Sequence, residues 1–125
     1  MNWLTFENDV CSFYFKLGYW AHRIQKDERG AQPFDVIAIR GRDVIAVDCK
    51  VCSRKRFPLS RVEDNQWLSM ELMQQRTKAF VGFLCYFGDK VYVLPFSVAK
   101  AEREAGAASI PLENLGVLFE YEEEI

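Results

Sequence analysis

The amino-acid sequence predicts an α/β domain in which helices flank a central mixed β-sheet, in the order α-β-β-β-α-β-β-α. Three patterns carry this expectation. Apolar residues recur at three- and four-residue spacing between positions 3 and 17, as on a helix. Apolar, β-branched runs bounded by glycine or proline fill much of the remainder, as on strands. Half of the 125 residues are apolar and 14% are aromatic, which suits one packed core and excludes a disordered chain.

The first helix carries the stripe Trp3, Phe6, Val10, Phe13, Tyr14 and Leu17, with Gly18 as its stop. Residues 19–24 read as a short strand, and the polar stretch 26–32, containing Gly30, as a loop. Two apolar runs, 34–40 and 43–51, flank Gly41-Arg42. Glycine at the first central position suits a two-residue type II′ hairpin. That turn sets Arg40 opposite Asp43, Ile39 beside Val44, Ile37 beside Ala46 and Asp35 beside Asp48. Both faces of the hairpin are apolar, as for strands inside a sheet covered on both sides.

Phe57-Pro58-Leu59 interrupts the pattern. Ser60, with Glu63 three residues on, is expected to open a capping box for a second helix reaching about Thr77. A hairpin over 79–87 and 90–94 follows, turning at Gly88-Asp89 and ended by Pro95. Ser97 is expected to cap a short last helix reaching Ala105, with Gly106 beyond it, and 110–121 to add an edge strand. No linker, repeat or low-complexity segment intervenes, so 1–125 is read as one domain with an acidic tail over about 120–125.

A net charge of −2 by itself disfavours a polyanionic partner, because non-specific affinity for nucleic acid comes from neutralising phosphates. The distribution matters more. Acids gather at Glu120 and Glu122 to Glu124, whereas 50–61 holds Lys50, Arg54, Lys55, Arg56 and Arg61 without an acid. Such a segment can face a polyanion while the tail faces away; a solvated basic loop is the alternative. No apolar run is long enough to span a bilayer, and the start lacks signal-peptide features. The chain is therefore expected in the cytoplasm, off membranes, with Cys11, Cys49, Cys52 and Cys85 reduced.

Carboxylates are scarce inside buried strands because ionised groups lose their hydration there. The hairpin nonetheless carries Asp35 and Asp48 side by side. With Cβ atoms about 5 Å apart they repel, and a divalent cation favouring hard oxygen ligands, Mg²⁺ or Mn²⁺, is the simplest compensation. Lys50, two residues beyond Asp48, leaves the same face of the strand. Its ammonium can pair with the carboxylates, orient water or stabilise charge on a phosphate. Glu7 lies at the shoulder of the first helix's apolar stripe. Gln66 sits similarly on the second helix, where it either touches the site or caps a buried backbone group.

Cys49-x-x-Cys52 has only His22 to complete a zinc site, and it falls at a strand end rather than at the strand-to-helix junction of a redox motif. These cysteines read as packing residues, His22 as an exposed bystander, and Phe80, Phe83, Tyr86 and Phe87 as core.

Pro33-Phe34-Asp35, a strand hairpin and then Asp48-Cys49-Lys50 resemble the PD-(D/E)XK nuclease signature, with Glu7 standing where that superfamily carries a helical glutamate. The spacing of the four is similar to that of archaeal Holliday junction resolvases. The stretch from Phe57 through Gln66 to the 80–94 hairpin and Pro95 resembles the resolvases of Gram-positive bacteria, so the likeness runs to about Ala101. It implies a restriction-endonuclease-like fold and a homodimeric, Mg²⁺- or Mn²⁺-dependent endonuclease that hydrolyses phosphodiesters of branched DNA. Glu7, Asp35, Asp48, Lys50 and Gln66 would be its catalytic residues. Glu7, Asp35, Asp48 and the carbonyl of Cys49 would hold one or two ions, and Arg29, Arg54, Lys55, Arg56 and Arg61 would grip backbone phosphates.

The chain also departs from the pattern. Phe34 separates the proline from the aspartate, and Asp48 stands where glutamate is commoner. No counterpart of the bacterial junction-binding stalk is visible, which leaves junction specificity open. Two rival readings remain. One is a repair, restriction or phage-associated nuclease with another DNA substrate; the other is a catalytically silent DNA-binding module of the same fold.

Overall fold

The structure, a computed structural model, describes residues 1–26 and 32–122. Arg29, expected to contact DNA, and Glu123 and Glu124 of the acidic tail lie outside the described residues.

Helix α1 (Trp3–Lys16) opens at Asn2, whose side chain accepts a 2.8 Å hydrogen bond from the Thr5 amide. It closes ahead of Gly18, which takes the left-handed conformation at φ +88°. Phe6, Val10 and Tyr14 are buried against the sheet. Trp3, the first residue of the helix, and Leu17, its C-cap, share the apolar spacing but are exposed. Strand β1 (Trp20–Arg23) pairs antiparallel with β2 (Val36–Arg40), which pairs antiparallel with β3 (Asp43–Val51). Arg40 faces Asp43, Ile39 faces Val44 and Ile37 faces Ala46, as the turn predicts. Gly41 has φ +58° and Arg42 no positive φ, the combination of a type II′ turn.

Strand β4 (Arg56–Pro58) leads through a 3-10 turn, Leu59–Arg61, into α2 (Asp64–Arg76). The expected capping box is present but one turn later than Ser60. Glu63 is the N-cap and Gln66 its reciprocal partner. Val62 is buried with extended backbone (φ −85°, ψ 118°), so its side chain enters the core and the helix cannot begin before it.

β5 (Phe80–Phe87) runs parallel to β3 and antiparallel to β6 (Lys90–Pro95). Gly82 of β5 is required by close approach, since a Cβ there would lie 2.4 Å from the Leu94 carbonyl oxygen. α3 (Phe96–Glu104) starts directly after Pro95, so Ser97 falls inside the first turn and caps nothing. Burial of Phe96 against α2 and the sheet sets that start.

The segment expected as one edge strand is two. β7 (Ser109–Pro111) pairs with β4 in a separate two-stranded sheet, and β8 (Gly116–Glu120) is the edge beside β6. Among the described residues the main sheet therefore reads β1-β2-β3-β5-β6-β8, mixed as expected. Val47 and Cys49 of β3 face α1, while Ala46 faces the core built on Trp67 and Met70 of α2 and Phe96 and Ala99 of α3. Both faces are covered. No helix among the described residues is long and apolar enough to cross a membrane.

Candidate active site

A cleft of about 580 Å³ opens where β2 begins and β3 runs out, between the N-terminal ends of α1 and α2. Its walls include Glu7, Asp35, Asp48, Lys50, Arg61 and Gln66. Three of its carboxyl groups are nearly sealed from water: Glu7 is 1% exposed, Asp48 4% and Asp35 6%.

Asp35 is held by its backbone on both sides. Its amide donates to the Val47 carbonyl at 2.9 Å, and its carbonyl accepts from the Ile24 amide at 2.8 Å. Its Oδ2 accepts from the Cys49 amide at 2.7 Å, which fixes the carboxylate against β3. Asp48 lies on the adjacent strand, and Lys50 Nζ stands 3.0 Å from Asp48 Oδ2. That ammonium is the charged partner of Oδ2. Burial pushes the Asp48 carboxyl well above the usual range, the Asp35 charge adds to this, and Lys50 opposes it.

Glu7 reaches the cleft from α1. Its Oε1 accepts no hydrogen bond, and the nearest cation, Arg23 Nη1 of β1, is 3.9 Å away. Burial, with the Asp35 charge behind it, raises this carboxyl to about 7 against the pull of Lys26 and Arg23. The carboxyl groups gathered here offer only oxygen, and the buried Glu7 Oε1 is unsatisfied, which in kind fits a hard divalent cation. As they stand, no three acidic, thiol or imidazole groups among the described residues are drawn together closely enough to hold an ion. Binding would therefore require these side chains to close on it.

No family model matches the chain, and no curated protein matches it. Among solved structures, the chain is similar to Hjc of Archaeoglobus fulgidus, described as a Holliday junction resolvase from an archaeal hyperthermophile. The match has a TM-score of 0.54 and 20% identity, over 74% of this chain and 75% of that one. The chain shares the fold of that resolvase, a mixed sheet flanked by helices. This bears out the fold that the Asp35, Asp48 and Lys50 pattern implied.

Within that fold the other expected site residues divide. Arg61 enters the cleft: its Nη1 donates to the Val51 carbonyl at 2.9 Å and lies 3.9 Å from Cys52 Sγ, which holds the guanidinium at the end of β3. Gln66 combines both of its possible roles, since it lines the cleft while its Oε1 accepts from the Glu63 amide at 3.2 Å. Arg54, Lys55 and Arg56 lie outside the cleft on exposed surface. Lys55 Nζ is 3.9 Å from Glu113 Oε2, and Arg56 Nε donates to Ser109 Oγ at 2.8 Å. Arg54, Arg56 and Arg61 border a smaller hollow next to the cleft, so the basic segment continues its rim.

Cys49 turns its side chain into the α1 face and contributes its backbone to the cleft wall. The four cysteines are free thiols, with Cys52 and Cys85 in hydrogen-bond contact. His22 is exposed and stacks on Trp20, ring centroids 5.6 Å apart. Three residues of the site carry no strong local signal: Arg23, Lys26 and Trp3 reach it only through tertiary folding. The spacing of Trp3 and Glu7, four apart on one helix, was the available clue.

Proposed function

We propose that the protein is a metal-dependent DNA endonuclease that resolves branched DNA. The observation that carries this reading is the sealed pair Asp35, just before β2, and Asp48 on β3, with Lys50 3.0 Å from Asp48 and Glu7 in the same cleft. Buried carboxylates are costly unless something compensates them, and clefts that concentrate such groups are characteristic of functional sites.

Asp35, Asp48 and Glu7, with the carbonyl of Cys49, would hold Mg²⁺ or Mn²⁺, which when bound supplies Lewis acidity toward a phosphodiester. The remaining work falls to the chain. The Cys49 amide fixes the Asp35 carboxylate, so one wall of the site is set before DNA arrives. Lys50 presents an ammonium beside Asp48, placed to donate to a phosphoryl oxygen as charge builds there. Glu7, buried and raised toward neutrality by that burial, would be held ionised by the bound cation. Arg61 at the cleft, Arg54 and Arg56 on its rim, and Lys55 exposed between them in sequence, would engage backbone phosphates without reading bases. Gln66 keeps the N-terminus of α2 in register with the site through its cap to Glu63.

The matched Archaeoglobus protein is a Holliday junction resolvase. Carried to this chain, that likeness supports a four-way junction as the proposed substrate; paired cuts would need two sites related by a two-fold axis, so a symmetric dimer is the proposed acting form. The test is incubation with a four-way junction, supercoiled plasmid and linear duplex, each in Mg²⁺ or EDTA. Metal-dependent, symmetric paired nicks on the junction with little action on linear duplex are expected. Equal cutting of all three DNAs points to a general nuclease. Binding without cutting in any divalent metal points to a silent module.

A further inference from the structure

Trp3 opens α1 and sits on the lip of the same cleft with its side chain 47% exposed. It precedes Glu7 by four residues, so indole and carboxylate project from one helix face about 6 Å apart along the axis. Lys26, which follows β1, also lines the cleft, and its Nζ lies 4.1 Å from the centroid of the Trp3 ring. The other tryptophans are placed differently. Trp67 is packed in the core on α2, Trp20 lies on β1 against His22, and neither lines this cleft. Phe80, Phe83, Tyr86 and Phe87 are strand residues away from it.

A half-exposed indole with an ammonium beside it, one helical turn from an acidic hydrolytic centre, offers two complementary things. The ring presents a flat π surface of the kind on which nucleobases stack. The ammonium presents the charge that a neighbouring phosphate seeks, and it can exchange the ring for that phosphate. We infer that Trp3 and Lys26 form a nucleotide shelf that stacks one unpaired base beside the phosphodiester entering the cleft. This rests on the DNA reading above and narrows its substrate class. A base inside intact duplex already has both faces covered and must be unstacked to reach the shelf, whereas a base at a branch point or mismatch is freed at little cost. The shelf therefore favours distorted DNA over linear duplex without reading sequence.

The experiment uses full-length protein carrying Asp48→Asn, so that bound DNA stays intact. The probe is a four-way junction with 2-aminopurine at the point of strand exchange, and linear duplex is the control. DNA anisotropy reports binding and 2-aminopurine fluorescence reports stacking. Adding Trp3→Ala should weaken junction binding about tenfold and abolish the fluorescence change, while affecting linear duplex much less. Trp3→Phe, which retains a stacking ring, should restore most of both signals. The exposure of Trp3 predicts that both variants keep the parent's circular dichroism; if Trp3→Ala misfolds, Trp3→Phe against the parent and a Lys26→Ala variant carry the comparison. Unchanged 2-aminopurine quenching in Trp3→Ala overturns the shelf, as does equal weakening on junction and linear duplex. Failure of the parent to bind any DNA overturns the DNA reading together with the shelf, whereas binding without stacking overturns the shelf alone.

Discussion

Replacing Glu7 by glutamine tests the electrostatics of the cleft without reference to any substrate. Glu7 is 1% exposed, its Oε1 accepts no hydrogen bond, and its carboxyl is raised from 4.5 to about 7, first by burial and then by Asp35. The unfolded chain gives up this proton near the lower value and the folded chain near the higher one. Below about pH 4.5 both states are protonated and the group contributes its full stability; that contribution is lost as the pH rises through 7. The linkage slope of about 1.4 kcal/mol per pH unit gives a ceiling of about 3 kcal/mol across the window. Because the cleft opens to solvent, about 2 kcal/mol is the figure to expect, a large share of a domain's net stability.

Glu7→Gln keeps the shape and removes the titration. Denaturant unfolding in EDTA should find the variant equal to wild type near pH 4 and more stable by about 2 kcal/mol near pH 8. Asp48 contributes its own pH dependence to both proteins, so only the difference between them is read. A difference that does not change with pH, or a variant less stable at pH 8, would refute the reasoning.

Other expectations concern separate parts of the structure. Mg²⁺ or Mn²⁺ at a hundredfold excess over its dissociation constant should stabilise wild type by about 2.7 kcal/mol and leave Asp48→Ala unmoved in thermal unfolding; equal responses would contradict the carboxylate site. Gly82→Ala forces a Cβ to 2.4 Å from the Leu94 carbonyl oxygen, and should cost at least about 2 kcal/mol in chemical unfolding, where a neutral result would show that β5 and β6 can separate freely. Gln66→Ala removes the cap to Glu63 and should cost about 1 kcal/mol, with cleavage rates measured alongside to reveal any role beyond capping. Arg61→Ala should weaken DNA binding in a sequence-independent way and reduce the slope of log K against log salt by about 1.

How far the sequence could be read depended on whether local geometry or tertiary packing decided each feature. Gly41-Arg42 admits few turns, and the turn fixes the register of β2 on β3 as far as Val36 and Val47, so the nearness of Asp35 to Asp48 and the placement of Lys50 beside Asp48 were legible in the sequence. The regular pairing itself stops short of Asp35, which precedes β2 and whose amide bonds the Val47 carbonyl. The start of α2 was not. Ser60 with Glu63 has the spacing of a capping box, but burial of Val62 in the core holds the chain extended and passes the box to Glu63 and Gln66. β4 and β7 are three residues each and both contain proline, which leaves no periodicity to detect. Glu7 could be placed at the shoulder of its helix, whereas its near-complete burial depends on where α1 crosses the sheet end. Trp3 fits the spacing of the apolar stripe, yet as the first residue of α1 it is half-exposed and lines the cleft. Arg23, Lys26 and the placement of Arg61 against Val51 likewise arise from chain segments meeting in space.

The central claim is that Asp35 just before β2, Asp48 and Lys50 of β3 and Glu7 of α1 act together on a cation to hydrolyse DNA. It is tested most directly by following nicking of supercoiled plasmid and a four-way junction by wild type, Asp48→Ala and Lys50→Ala in Mg²⁺ and in EDTA. Wild type should cut in Mg²⁺ and fall silent in EDTA, with both variants inactive although folded. Cleavage that persists in EDTA or in Asp48→Ala, or intact DNA with wild type under every divalent ion, would contradict it.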